Sequence, residues 1–95
     1  MGKNKFLHID DTVKKIITDA LCLEKNQVKN NSLLKQDLGA AYLEIAVIQM
    51  NLEETFEIMI PDKDIADKNG VSEIIDYIKG KISVAVSREE HHQQI

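Results

Sequence analysis

The chain has 95 residues, of which 43% are hydrophobic and 29% charged, so it can form one small domain and is too short for a multidomain enzyme. Aromatic residues make up 4% and Trp is absent, which leaves Ile, Leu, Val and Met to build the core and favours helices over a turn-rich sandwich. A net charge of -4 argues against nucleic acid as a partner, because nucleic-acid-binding proteins usually present a basic face to the phosphates.

The single cysteine, Cys22, cannot form a disulfide within the chain, which excludes a secreted disulfide scaffold and is expected in a reducing compartment. No apolar run approaches the roughly 20 residues that span a bilayer. Residues 1–6 also lack the apolar stretch of a signal peptide and the hydroxyl residue of a myristoylation motif. We therefore expect a soluble, cytoplasmic protein that has no membrane partner.

Charge is distributed unevenly along the chain. Residues 1–36 carry a net charge of +3, residues 37–64 carry -6 and residues 65–95 carry -1. An acidic middle segment can attract a basic partner through long-range electrostatics, and a solvated helix face is the alternative explanation.

A first helix is predicted to begin at Asp10 or Asp11, which are good N-cap residues. Apolar residues then recur at the spacing of one helical face, at Val13, Ile16, Ile17, Ala20 and Leu21. We expect residues 1–9 to be a flexible lead-in, and Cys22 to pack at the end of this helix. The polar stretch from Glu24 to Ala41 should form a long loop that four apolar residues attach to the core: Val28, Leu33, Leu34 and Leu38.

A second helix is predicted from about Ala41 to Glu57, because Pro61 disfavours helix in the residue before it. At about 100° per residue its apolar residues fall on two opposite faces. One face holds Ile45, Ile48, Leu52 and Phe56, and the other holds Leu43, Ala46, Val47 and Met50. A small domain cannot bury both faces without a layer on each side, so we predict that the second face contacts a partner.

Pro61 at a first helical position predicts a short third helix that runs to about Asp67 and is closed by Asn69 and Gly70. A fourth helix carries a core stripe at Val71, Ile74, Ile75, Ile78 and Ile82. We expect a helical domain over residues 10–86 and a polar tail over residues 87–95. The prediction is an all-α protein.

Three acids stand at positions 1, 3 and 12 of a calcium-loop spacing: Asp62, Asp64 and Glu73. The loop would need Gly at its sixth position, where this chain has Asp67, so we predict no EF-hand calcium site. Weak, unspecific binding of divalent cations to the clustered carboxylates is the alternative.

His91 and His92, beside Glu89 and Glu90 in the tail, lack the fixed geometry of a metal site. Neither His8 nor Cys22 belongs to a recognisable catalytic set, so no catalytic residue and no enzymatic activity are predicted.

Several segments resemble the acyl carrier protein family. They are residues 37–43 (DLGAAYL), residues 52–62 (LEETFEIMIPD) and residues 75–78 (IDYI), and the likeness covers roughly Val13 to Ile82. The resemblance implies a four-helix bundle with a long loop between the first two helices and a short third helix.

In that family the loop ends Asp-Leu-Gly-x-Asp-Ser-Leu, and the Ser carries a 4'-phosphopantetheine arm that bears the acyl chain. In this chain the Asp-Ser pair is Ala41-Tyr42. A Tyr hydroxyl lies at the far end of a rigid ring, beyond the place where a transferase shaped around Ser would meet it. The resemblance therefore implies a degenerate member without the cofactor. The alternative is a working carrier of fatty-acid, polyketide or lipid synthesis with an unusual or altered attachment residue.

The resemblance also assigns roles around that position. Ile65 and Ile74 match positions that are commonly Ala beside the acyl-chain pocket, so their larger side chains are expected to fill it, and Lys68 replaces a commonly apolar residue. The family docks on basic grooves of partner enzymes through its second helix. The matching apolar residues are Leu43, Ala46 and Met50, the matching acids are Glu44, Glu53 and Glu54, and Val47 replaces a common Glu. The implied function is a binding module, with a homodimer through the apolar face as a further alternative.

Overall fold

The computed structural model describes residues 8–93, and their side chains as far as residue 82. Four helices follow one another: α1 (Ile9–Leu21), α2 (Tyr42–Phe56), α3 (Asp62–Ala66) and α4 (Val71–Gln93). A short 3₁₀ helix at Lys25–Gln27 lies between α1 and α2, and no strand occurs in residues 8–93. The prediction of an all-helical protein is confirmed.

Two predictions fall outside the described part of the chain: most of the lead-in, at residues 1–7, and the side chains of His91 and His92. The backbone of α4 is helical through Gln93, within the segment predicted as a polar tail. Across residues 8–93, none of the four helices combines enough length with enough apolar character to cross a membrane.

The core is apolar and draws on every helix and on the long loop. Helix α1 packs against both α2 and α4. The buried apolar residues are Ile9, Val13, Ile17, Val28, Leu34, Ala40, Ile48, Leu52, Phe56, Ile60, Ile65, Val71, Ile74, Ile75, Ile78 and Ile82. Full burial of one such aliphatic side chain contributes roughly 1.5–3 kcal/mol, so this set provides the main stabilisation of the fold.

Helix α1 begins earlier than predicted. Its N-cap is His8, whose carbonyl accepts a hydrogen bond from the Thr12 N–H at 2.9 Å, and Asp10 and Asp11 lie within the first turn. The N-cap assignment to the two acids is therefore wrong, because the helix extends to bury Ile9 in the core. In the first turn both carboxylates still interact favourably with the helix dipole.

The expectation that Cys22 packs at the end of α1 is also wrong. Cys22 is the C-cap, with a φ of 56° in the left-handed region, and its side chain is exposed. Its backbone N–H donates to the Thr18 carbonyl, so this residue ends the helix through its main chain.

The long loop is attached to the start of α4. The Leu34 N–H donates to the Asn69 carbonyl at 2.7 Å, and the Val71 N–H donates to the Ser32 carbonyl at 3.0 Å. The Asn69 side chain accepts a further hydrogen bond from the Lys35 N–H at 3.2 Å. These bonds fix the loop against an element more than 30 residues further along the chain.

The four apolar residues of the loop differ in their burial. Val28 and Leu34 are buried and Leu38 is half-buried, as predicted. Leu33 is exposed instead, since its attachment to the fold is a backbone bridge with Gly70 and not a side-chain contact in the core.

Helix α3 begins one residue later than predicted. Pro61 has a ψ of 148° and is the N-cap, so the helical conformation starts at Asp62. The Pro61 carbonyl accepts hydrogen bonds from Asp64 at 2.9 Å and from Ile65 at 3.3 Å. Buried Ile65 then holds this single turn against the core.

Tyr77 joins α4 to α3. Its hydroxyl donates to Asp64 Oδ2 at 2.6 Å. Burial raises the pKa of Tyr77 to about 12, helped by this hydrogen bond and by the negative charges of Asp64 and Glu53. The ammonium group of Lys68 lies 5.1 Å from the centre of the Tyr77 ring, which adds a cation–π contact from the segment between the two helices.

The raised pKa predicts how stability depends on alkaline pH. In the folded protein Tyr77 keeps its proton to about pH 12, whereas in the unfolded chain it loses the proton near its ordinary pKa of 10.0. The stabilising contribution of neutral Tyr77 is therefore fully present below pH 10 and is lost between about pH 10 and 12. We expect Tyr77→Phe to lower the free energy of unfolding by about 1 kcal/mol at neutral pH and to make its decline above pH 10 less steep.

Urea unfolding at a series of pH values measures both effects. Tyr42→Phe is the matched control, because it removes the hydroxyl of an exposed tyrosine and leaves the hydrogen bond between Tyr77 and Asp64 in place. Parallel profiles for Tyr77→Phe and the parent would show that the hydrogen bond to Asp64 has no part in the alkaline transition.

Candidate docking site on α2

An exposed apolar stripe runs along α2. It consists of Leu43, Val47 and Met50, whose side chains are 76%, 44% and 57% exposed, and we call it the docking stripe. The spacing of i, i+4 and i+7 places the three residues on one side of the helix. A contiguous apolar patch that the core does not use is typical of a surface that contacts another molecule.

The opposite side of α2 faces the core. Ile48, Leu52 and Phe56 are buried there and Ile45 is half-buried, as the pattern of the sequence predicted. Ala46 differs from the other residues assigned to the outward face, since it is half-buried. It lies between the docking stripe and a groove on the flank of the helix.

The three acids expected to contact a partner have different surroundings. Glu44 accepts a hydrogen bond from the Ala41 N–H at 2.7 Å. Glu53 accepts one from the Ile60 N–H at 2.9 Å, which fixes the turn after α2. Glu54 is exposed and stands four residues after Met50, on the side of the docking stripe. Two of the acids therefore also stabilise the ends of α2, and Glu54 is the most available to a partner.

Tyr42 is the first residue of α2, and Ala41 is the N-cap. Before them Gly39 has a φ of +69°, a left-handed conformation that costs Gly nothing. The N-cap N–H donates to Glu44, the third helical residue, but Ala41 has no side-chain acceptor to return the bond. Only half of a capping box is present at this end of the helix.

The same half capping box occurs at the start of α4. There Glu73 accepts a hydrogen bond from the Gly70 N–H at 2.9 Å, and Gly70 also lacks a side chain that could cap the helix. Helices α2 and α4 therefore each carry a Glu as their third residue. The acid satisfies one backbone donor and places negative charge at the positive end of the helix dipole.

The three acids at calcium-loop spacing have separate roles. Asp62 accepts a hydrogen bond from Gln49 at 2.9 Å, Asp64 accepts one from Tyr77, and Glu73 caps the start of α4. Among the side chains described, no three His, Cys, Asp or Glu residues come together where a metal ion could bind.

A groove on the flank of α2 is the part of this surface that sequence reasoning missed. It is lined by residues that are distant in sequence, among them Lys35, Tyr42, Ile65 and Lys68. The only signal for it was Lys68, a charged residue at a position where the resemblance expects an apolar one. Nothing near Lys35 in the sequence indicates that the fold brings it to the same place.

Comparison of the chain with protein-family models finds no match. The assignment of function therefore depends on the geometry of α2 and on the motifs themselves. That geometry presents an apolar stripe beside an exposed acid, and a tyrosine at the first position of the helix.

The docking stripe predicts a specific pattern of stability in variants. Val47→Glu and Met50→Asp should change the free energy of unfolding by no more than about 0.5 kcal/mol, because exposed positions tolerate polar side chains. Ile48→Asp, on the opposite face of the same helix, should unfold the domain, because it buries an unpaired charge. Far-UV circular dichroism during urea unfolding measures all three. Loss of helicity in Val47→Glu would place this face in the core.

The half capping box predicts that a cap can be added. Ala41→Asp supplies the missing acceptor for a backbone N–H of the first turn, and the extended conformation of Ala41 suits an N-cap, so we expect a gain of about 1 kcal/mol. Ala41→Leu, which has no acceptor, should give no gain. Equal stability of the Asp and Leu variants in urea unfolding would show that the first-turn donors do not need a side-chain partner.

Proposed function

We propose that this protein is a degenerate acyl-carrier-like docking module that binds a basic groove of a partner enzyme through α2 and carries no 4'-phosphopantetheine arm. It acts as a scaffold or regulator of an enzyme of fatty-acid, polyketide or lipid synthesis. The observation that carries the proposal is the docking stripe, on a helix whose first residue is Tyr42 in place of the family's serine.

The order of the helices supports this proposal. The resemblance implies a long loop before the second helix and a short third helix. The chain has a connecting segment of 20 residues between Leu21 and Tyr42, and α3 has 5 residues. Gly39 lies near the end of this segment, and the start of α2 follows it in the order of the family's attachment motif.

The chemistry of Tyr42 supports the absence of the arm. The tyrosine is the first residue of α2, and its phenol oxygen stands at the far end of a rigid ring, whereas a serine Oγ would stand close to the backbone N–H groups that would receive a phosphodiester. Ile65 and Ile74 are both buried in the core, where the family's smaller residues would leave room for an acyl chain.

Charge and apolar area have separate parts in the proposed docking. The net charge of -6 over residues 37–64 favours encounter with a basic surface and increases the association rate. Burial of Leu43, Val47 and Met50 then supplies lasting affinity, roughly 1.5–3 kcal/mol for each side chain that becomes fully buried. Raising the salt concentration should consequently slow association first, and Val47→Glu should abolish binding to the native partner.

A working carrier attached through Tyr42 is the second candidate, and the exposure of that hydroxyl favours it. One experiment separates the two. The protein is incubated with coenzyme A and a broad-specificity phosphopantetheinyl transferase, and its intact mass is measured. We expect no change in mass, because the hydroxyl stands beyond the position of a serine Oγ.

Ala41→Asp combined with Tyr42→Ser is the positive control. This double variant restores the motif between Gly39 and Leu43, so we expect it to gain the mass of one arm. An arm on the parent protein would overturn the proposal in favour of a working carrier. A folded double variant that stays unmodified would show that the surface no longer resembles a carrier to the transferase.

A further inference from the structure

A groove of about 290 Å³ lies between α2 and the segment that runs from α3 to the start of α4. Its apolar lining comes from Ile45 and Ala46 on one side and from Ile65 and Ala66 on the other. This volume is just below the usual range for small-molecule pockets, so it suits one large side chain better than an extended ligand.

The charges that line the groove favour an anion. Lys35 and Lys68 both line it, and neither pairs with a carboxylate among the side chains that the structure describes. Lys68 instead lies over the ring of Tyr77. The acid in the lining, Asp62, already accepts a hydrogen bond from the Gln49 amide. A carboxylate in the groove would therefore lie beside two lysine side chains, and the one acid in the lining already has a hydrogen-bond donor in Gln49.

The groove is continuous with the docking stripe. Ala46 lines the groove and stands about 60° around the helix from Leu43 at 100° per residue. A partner that covers the stripe consequently extends over the groove. In protein interfaces, pockets of this kind are filled by aromatic or large aliphatic side chains that contribute much of the affinity.

We propose that the groove receives a large apolar side chain of the partner protein, and that an Asp or Glu beside this side chain pairs with Lys35 and Lys68. The inference rests on the docking function proposed above and refines the chemistry of the partner. The partner presents basic residues to Glu54, apolar residues to the docking stripe, and an acidic residue with an apolar anchor to the groove.

Three capped tripeptides with the same apolar anchor test this proposal: Glu-Phe-Glu, Gln-Phe-Gln and Lys-Phe-Lys, each acetylated and amidated. Amide shifts of the full chain are followed by two-dimensional NMR during titration. We expect Glu-Phe-Glu to shift the amides of Ile45, Ala46, Ile65 and Ala66, with an apparent Kd about fivefold lower than that of Gln-Phe-Gln. Lys-Phe-Lys should bind more weakly than either.

Charge reversals in the protein identify the cations. Lys35→Glu and Lys68→Glu should each weaken binding of Glu-Phe-Glu about fivefold. Lys63→Glu is the matched control, since this exposed lysine lies on α3 but does not line the groove, and it should leave the Kd unchanged. Lys68→Glu also removes the contact between Lys68 and the Tyr77 ring. Lys35→Glu leaves that contact in place, so a similar loss of affinity in both variants is due to the charge in the groove.

Three results would overturn the assignment. Equal affinity for the three peptides, or no shift of the groove amides, would show that the lysines do not select an acidic anchor. Decanoate that shifts the same amides at a tenfold lower concentration than Glu-Phe-Glu would assign the groove to a free fatty acid instead. If the peptide titrations contradict the groove proposal, the expected result of the transferase assay does not change. If the parent protein gains an arm in that assay, the docking function is refuted whether or not the peptides bind.

Discussion

The backbone hydrogen bonds between the long loop and the start of α4 are the constraint on which the rest of the structure depends. Leu34 and Ser32 pair with Asn69 and Val71, and Leu34 also accepts a hydrogen bond from the Ala40 N–H at 2.8 Å. Closing so long a segment costs chain entropy, which burial of Leu34 and Val71 in the core offsets. Because the loop is fixed at Leu34 and again at Ala40, the direction in which α2 begins is fixed as well.

The position of α2 then determines which surface is free. With Ile48, Leu52 and Phe56 buried, Leu43 and Val47 on the opposite face must remain in water unless another molecule covers them. An isolated domain gains nothing from apolar residues in that place. The proposed function explains their presence, because the same residues that contribute nothing to the folded monomer would supply the affinity of a complex.

Charged residues in this protein serve the fold and the proposed interface together. Glu44 and Glu53 satisfy backbone donors at the two ends of α2, and both belong to the set of acids that we assign to docking. On the flank of the same helix Lys35 and Lys68 reverse the sign of the charge around the groove. A partner that matches both the docking stripe and the groove needs basic and acidic residues at separate places on its surface. This requirement would make the interaction more specific than binding to a uniformly basic surface.

The sequence by itself determined the helices and the two faces of α2, because helical periodicity is a local property that the spacing of Ile48, Leu52 and Phe56 expresses directly. It also placed Tyr42 near the start of this helix, in a segment that resembles the attachment motif of the acyl carrier protein family. The tertiary structure alone decided the groove, since Lys35 and Lys68 line the same groove only when the long loop pairs with the start of α4. It also decided the first residue of α1, because burial of Ile9 outweighs the capping preference of the acids that follow. Local patterns thus specified the elements, and contacts between residues distant in the chain specified their ends and the chemistry of the surface between them.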